Sequence, residues 1–369
     1  MTTANPNSQE EYVACQLSSW YPTFSQPFPE RRKGVTLQSR ILSVPETFRP
    51  YLMEDGVRLL PNTKASSCLS AKPQRAGGDD DDDDSKSWSD DSSADDASPR
   101  VPLHHPDLQA LTDTLTNTIQ ELGGSVVPKL NWSTPKDATW INEGTLKCAT
   151  AGDVYLLLKS SDFCASDIAL LDTLNQAPPQ STTTTDDDHL VPLHIVLRKW
   201  ANLFPSQEFR CFVRQRQLIA VSQRHADQHF EHLPQEKDEF LGLLHDFIED
   251  VILNNFPLSD FVADIYVDKQ DRAWILDFNV FGERTDSLLF DWTELREWSD
   301  DRESEIRVVE TDKEVRPHPL NNFRAPVDTV HIAGITGGNA DSFQAFMELC
   351  QQQQDDDVYD EDEGDDTNY

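Results

Sequence analysis

The stretch Phe261 to Glu283, FVADIYVDKQDRAWILDFNVFGE, decides the fold. Two runs of alternating apolar and polar residues flank a short polar turn at Lys269 to Arg272, the pattern of an antiparallel hairpin. A four-residue turn centred between Gln270 and Asp271 places Asp264 opposite Asp277 and Val262 opposite Asn279. Because side chains alternate along a strand, Asp264, Asp277 and Asn279 then share one face. Ile265, Val267, Trp274, Leu276 and Phe278 are expected on the other face, the one that meets the core. Two carboxylates facing each other at roughly 4.5 to 5.5 Å repel unless a positive charge lies between them. Carboxylates with an amide oxygen suit Mg2+, which keeps several waters and takes further ligands from phosphates. An exposed hairpin whose polar face simply meets water is the plainer alternative.

Working outward, Glu208 to Arg214 and Gln217 to Arg224 form a second hairpin pattern, preceded by a buried-type strand, Leu193 to Trp200. Arg198, Arg210, Arg214 and Arg224 reverse the local charge of an acidic chain and are natural partners for phosphate or carboxylate. Asp238 to Leu253 has the apolar spacing of a helix that packs on the sheet. Leu108, Leu111, Leu115, Ile119 and Leu122 mark another helix, ended by Gly123 and Gly124. SVVPKLNWS then reads as a strand carrying Lys129 out to a turn with Asn131, Trp132 and Ser133. A strand-end lysine is ordinarily surface charge, but beside a metal-carboxylate site it is what a triphosphate needs. Lys147 is expected in a loop with Gly152, and Lys159 at the end of an apolar run. Ser18 to Pro22 is expected as a turn, Thr36 to Leu42 as a strand and Glu46 to Glu54 as a short helix. TDSLLFDWTELREW is read as a turn running into a helix, 299–318 as charged and loosely ordered, Phe323 to Gly334 as extended and Ala340 to Leu349 as helical.

The 369 residues suffice for one large or two smaller domains. Of the formal net charge of −35, low-complexity runs at Asp79 to Asp96, Asp186 to Asp188 and Asp355 to Asp366 carry −21. The rest is still acidic, which argues against a nucleic-acid partner, because phosphate-backbone binding needs a basic footprint. The six cysteines show no metal-ligand spacing and read as reduced thiols of a cytosolic or nuclear protein. No apolar run approaches the roughly 18 residues of a membrane span. The expected organisation is 11–62 as an N-terminal part of the fold, 63–100 as a disordered acidic linker, 101–173 as a first subdomain, 174–190 as a low-complexity insert, 191–349 as a second subdomain with its extension, and 350–369 as a disordered acidic tail.

The order of these elements, closing on D-x12-DFN across a final hairpin, resembles the ATP-grasp fold: α+β, with two subdomains whose antiparallel sheets enclose an ATP cleft. No Walker A sequence or Rossmann glycine fingerprint is present. The words SSWYP, GGSVVPKLNWSTPKDATWI, LKC, LLLKSSDF, VLRKW, EFRCFV, LIAVSQR, FVADIYVD and ILDFNVFGERTDSLLFDW resemble the cell division cycle protein 123 family of eukaryotes, across most of residues 12–292. The resemblance implies a cytoplasmic, ATP-binding assembly chaperone, monomeric by itself, which acts on the gamma subunit of translation initiation factor 2 and supports translation initiation and the cell cycle. It implies that Lys129, with Asn131, Trp132 and Ser133, meets phosphate, that Arg198, Lys199 and Trp200 line the adenine side through the hinge backbone, and that Arg210 approaches the nucleotide. Asp264, Asp277 and Asn279 would hold Mg2+, and Lys147 or Lys159 would be the second lysine of such sites. The family pattern has a proline after DFN where this chain has Val280, which alters the loop but not the metal ligands. An ATP-grasp ligase working through an acyl phosphate uses the same metal and phosphate residues. It would also need a second cationic substrate anchor, and none is evident.

Overall fold

The computed structural model describes residues 8–28, 33–66 except 55, 62 and 64, 101–176, 190–299 and 301–317. The sequence readings over 67–100, 177–189 and 318–369 lie outside the described residues. Two sheets carry the fold. The first joins β1 (Ser39–Ser43), β2 (Val126–Lys129) and β3 (His194–Lys199) in the order β1-β3-β2, all antiparallel. The second joins β4 (Glu208–Arg214), β5 (Gln217–Gln223), β6 (Phe261–Val267), β7 (Ala273–Val280) and β8 (Glu305–Arg307) in the order β7-β6-β4-β5-β8. Here one expectation is corrected. The second sheet is mixed, because β8 runs parallel to β5 from a stretch that charge alone marked as loosely ordered. Arg307 holds β8 in place through Glu294 of the preceding helix, so the charges of this stretch are paired with each other.

Helices α1 (Gln9–Cys15), α2 (Leu17–Phe24), α3 (Phe48–Met53), α4 (Pro106–Glu121), α5 (Ala151–Lys159), α6 (Asp162–Gln176), α7 (Leu233–Phe247) and α8 (Trp292–Arg296) cover the sheets. α4 starts with Pro106 at its first position and stops at Gly123 and Gly124, whose φ of 97° and 82° only glycine adopts at little cost. α5 contains Gly152, which had been expected in a loop. The missed signal is a capping box, in which the Thr150 hydroxyl accepts from the Asp153 amide and the Asp153 carboxylate accepts from the Thr150 amide. α2 replaces the turn expected at Ser18 to Pro22. Leu17, Trp20 and Phe24 recur at helical spacing and are buried, and that burial outweighs the proline inside the helix.

Two cores result. Ile195 and Leu197 of β3 point into one with α3, α4 and α5. Val196 points the other way, into a core built with α1, α2, α7 and the inner face of the five-stranded sheet. Cys15, Cys148, Cys164 and Cys211 are buried free thiols whose pKa values burial raises, so they act as small apolar groups.

The N-terminal segment binds the two sheets together. The Trp132 indole donates to the Tyr12 carbonyl at 2.8 Å, and the Leu17 amide donates to the Asn131 carbonyl. Farther along, the Ile275 amide of β7 donates to the Val35 carbonyl at 2.7 Å, and the Thr36 hydroxyl donates to the Ile275 carbonyl at 2.9 Å. At Gly34 an added Cβ would lie 2.4 Å from the Ser25 carbonyl oxygen, so only glycine fits beneath this crossing. Among the described residues no helix is long and apolar enough to cross a membrane.

Candidate functional site

The hairpin of β6 and β7 pairs Asp264 with Asp277 and Val262 with Asn279, the register read from the sequence. It arrives there by two compensating departures. The turn is five residues, Asp268 to Arg272, which sets Val267 against Ala273 and Ile265 against Ile275; the extra residue Leu276 then bulges and restores the pairing at Asp277. The bulge corrects the expected apolar face near the turn. Ile275 and Ala273 join Ile265 and Val267 in the core, while Trp274 pairs with Tyr266 on the other face and donates its indole N–H to Asp268 at 2.9 Å. Asp268 also accepts from the amides of Gln270 and Arg272 and from the Arg272 Nε, and so closes the turn.

The polar face does not simply meet water. Asp264 is 8% exposed, and Arg210, its partner on β4, is 4% exposed. The Arg210 Nε and Nη2 donate to the two Asp264 carboxylate oxygens at 2.7 and 2.8 Å, and its Nη1 donates to the Asp286 carbonyl at 2.7 Å. Arg224 Nε lies 3.6 Å from the same carboxylate. Burial would raise the Asp264 pKa, but the charges of Arg210 and Arg224 outweigh it and hold the group well below the usual carboxylate range. Asn279 donates to Asp264 at the long distance of 3.5 Å.

Asp277 is held differently. One oxygen receives the ammonium of Lys129, which crosses from β2 of the first sheet and is itself buried; the other, Oδ1, is shielded from solvent and has no hydrogen-bond partner among the described residues. Arg198 lies on the same face of β3 as Val196. Its Nε and Nη2 are likewise shielded and without partners among the described residues, and burial lowers its pKa. Lys136, exposed on the turn after β2, has its ammonium pushed down to about 8, chiefly by the charge of Arg224. Lys129, Arg198, Arg210, Arg224 and Lys136 thus converge on Asp264 and Asp277, an excess of positive charge that suits an anionic ligand.

The other sequence candidates take different places. Asn131 is 1% exposed and fully engaged, donating to Gln16 and the Pro192 carbonyl and accepting from the His194 amide. The Trp132 and Ser133 amides and the Ser133 hydroxyl all donate to buried Asp167, so this loop is a rigid support for Lys129. The Lys199 side chain lies over Gly123, and the amides of Lys199 and Trp200 donate to the Gln38 and Ser125 carbonyls, which leaves neither amide for a ligand. Lys147 stands 5.9 Å from the Trp200 ring centroid, near the hinge. Lys159 is tied to the carbonyls of Tyr51 and Glu54, away from the carboxylates. Sequence reasoning placed neither Lys136 nor Asp167 at the site. No spacing rule announces them, since both arrive through loop packing.

Two carboxylates and an amide oxygen on one sheet face, one carboxylate oxygen lacking a partner, fit a hard divalent cation that draws its other ligands from phosphate and water. Among the described residues no three His, Cys, Asp or Glu side chains cluster as a self-sufficient metal site.

The family model of D123 matches residues 20–333, a range that includes every cleft residue named above. The chain belongs to the D123 family. It is 36% identical over 358 residues to the translation initiation factor eIF2 assembly protein of Xenopus tropicalis, covering 95% of this chain and 99% of that one. It is 41% identical over 269 residues to cell division cycle protein 123 of Phaeosphaeria nodorum, covering 72% of this chain and 66% of that one. The solved structure of Cdc123 from Schizosaccharomyces pombe superposes with a TM-score of 0.60 at 34% identity, covering 82% of this chain and 98% of that one. The D123 fold is therefore mixed α+β with two sheets, and the converging charges come from both.

Proposed function

We propose that this D123 chain is an assembly factor for translation initiation factor 2, engaging the gamma subunit, and that it binds ATP with Mg2+ in the cleft between its sheets in an ATP-grasp manner. The relatives that span nearly its whole length are named for eIF2 assembly, which supports the first part. One observation carries the second: Lys129 from one sheet and the half-engaged Asp277 from the other meet across the cleft. A nucleotide phosphate suits the lysine, and a cation bound to that phosphate suits the unpartnered Oδ1. Asp264, Asp277 and Asn279 are the residues that would hold Mg2+, and Lys129, Arg210 and Lys136 those that would neutralise phosphate. Bound Mg2+ would supply positive charge that offsets the phosphates. The residues of this chain supply position: Asp167 fixes the loop beneath Lys129, and Arg210 fixes Asp264.

The test is calorimetry with MgATP on wild type and Asp277→Asn, alongside capture of the purified gamma subunit. The expected result is nucleotide binding by wild type, loss of at least about tenfold in the variant, and weaker subunit capture when the site is altered. Equal MgATP affinity in the two proteins removes the metal assignment. A wild type that captures no gamma subunit removes the client assignment.

A further inference from the structure

Between β7 and α8 the chain forms a loop, Thr285 to Phe290, whose carbonyls serve two different sets of arginines. The Asp286 carbonyl accepts from Arg210 Nη1 at 2.7 Å, the third bond of the guanidinium that grips both oxygens of Asp264. The next two carbonyls that are held belong to Leu288 and Leu289. Arg316 Nη1 donates to the first, and Arg307 Nη1 donates to the second at 3.4 Å. Both of these arginines lie on one stretch, Glu305 to Arg316, which begins as β8. That stretch is anchored at both ends. β8 pairs with β5, Val308 and Val309 are buried, and the Val309 amide donates to the side chain of buried Gln223 at 3.0 Å. At the far end the Arg316 amide donates to the Ala226 carbonyl at 2.9 Å.

The loop needs this support. Leu288 has a φ of 54°, the left-handed region in which its Cβ crowds the backbone and a leucine is a poor occupant. Its amide donates to the Asp286 carboxylate at 2.9 Å, so the strained residue and the carbonyl that meets Arg210 belong to one turn. Freed at its own carbonyl, Leu288 can relax toward ordinary backbone angles and carry the Asp286 carbonyl away from Arg210. The two supporting arginines are not equivalent. Arg307 is also committed to Glu294 and Glu305, whereas the Arg316 side chain is exposed and, among the described residues, donates to the Leu288 carbonyl alone.

We infer that Arg316 is a positioning residue for the Asp264 carboxylate, acting through Leu288, Asp286 and Arg210. It touches neither nucleotide nor metal. Resting on the reading of Asp264 as a Mg2+ ligand given above, this assignment adds what aims that ligand: a carboxylate gripped edge to edge by an arginine turns with it, and Arg210 is fixed in rotation by its third bond. Coupling of this kind is reciprocal. A cation and nucleotide bound at Asp264 steady the loop, and release of the exposed Arg316 weakens the hold on the cation.

The experiment uses the full chain as wild type, Arg316→Met and Arg316→Lys. Calorimetry titrates ATP at stepped Mg2+ concentrations, thermal melting without ligand reads the fold, and amide hydrogen exchange of wild type with and without MgATP reads the loop. Arg316→Met is expected to melt close to wild type, because the side chain it removes is exposed. The same variant is expected to need at least about threefold more Mg2+ for half-maximal ATP binding. Arg316→Lys, whose ammonium can still donate to the Leu288 carbonyl, is expected to recover most of that shift. In wild type, MgATP is expected to slow exchange at the Leu288 and Leu289 amides. An unchanged Mg2+ requirement in Arg316→Met overturns the inference while leaving the nucleotide reading intact, and so does exchange at those two amides that MgATP does not alter. A lowered melting temperature with ATP affinity reduced equally at every Mg2+ concentration assigns Arg316 a structural role and also overturns it. A wild type that binds no MgATP overturns both readings together.

Discussion

The two sheets treat the same side chain in opposite ways. On the five-stranded sheet, Arg210 and Asp264 satisfy one another edge to edge. On the three-stranded sheet, Arg198 has no partner for that edge, and Lys129 must reach across to Asp277. Arg210 and Asp264 satisfy each other within one sheet, whereas Arg198 and the Oδ1 of Asp277 keep unmet hydrogen-bonding capacity among the described residues.

The contrast is broken most severely at its paired side. Asp264→Ala leaves the buried Arg210 and the half-buried Arg224 facing each other without this counter-ion, and is expected to cost about 3–5 kcal/mol, read as a large drop in melting temperature or denaturant midpoint. The pH dependence has a definite sign. The folded pKa of Asp264 is depressed, so its contribution is fully present above the unfolded pKa of about 3.9 and declines as pH falls below that value. The gap in stability between wild type and Asp264→Ala is therefore expected to narrow on acidification below about pH 4. A gap that stays constant would assign the cost to packing alone.

The open side should respond more weakly in stability. Lys129→Met removes the ion pair between the sheets but leaves Asp277, whose side chain is 19% exposed, with access to water; a cost of about 1–2 kcal/mol by chemical denaturation is expected. A cost as large as that of Asp264→Ala would erase the distinction between the faces.

The smallest effect sharpens the comparison at the hairpin tip, away from either charge cluster. Asp268→Ala removes the side chain that accepts four turn hydrogen bonds and is expected to cost about 1 kcal/mol near neutral pH. Burial pushes the Asp268 pKa up, but the bonds from Arg272, Trp274 and the turn amides outweigh it and hold the group at about 2. Its stabilisation is present above pH 3.9 and is lost as pH falls toward 2, so the variant and wild type should converge there, as melting curves at stepped pH would show.

The sequence carried the hairpin, its pairing of Asp264 with Asp277, the helix ended by Gly123 and Gly124, and the arginine-bearing strands, because each depends on local periodicity or a nearby turn. It did not carry the bulge at Leu276. A five-residue turn and a bulged residue cancel in register, and periodicity sees only their sum. It also missed the parallel strand Glu305–Arg307, whose Arg307 is held by Glu294 of α8 as well as by Glu305, while Arg302 pairs with Glu305. At the site, the resemblance implies that Asn131, Trp132 and Ser133 accompany Lys129 at phosphate. Their donors go to Asp167, Gln16, Tyr12 and Pro192, partners up to 120 residues away in sequence that no local pattern reveals.

The crossing of Val35 and Thr36 over Ile275 sets a condition on the timing of folding. The Thr36 and Ile275 partners are 239 residues apart, and Gly34 lets the Ser25 backbone lie close beneath the crossing. At a synthesis rate of about 5–20 residues per second, the early segment waits on the order of tens of seconds for its partner strand to emerge. Throughout that wait the apolar residues of α2 lack the β7 surface that covers them. A protein whose relatives are named for assembling a translation factor thus has, while still a nascent chain, its own interval of exposed hydrophobic surface.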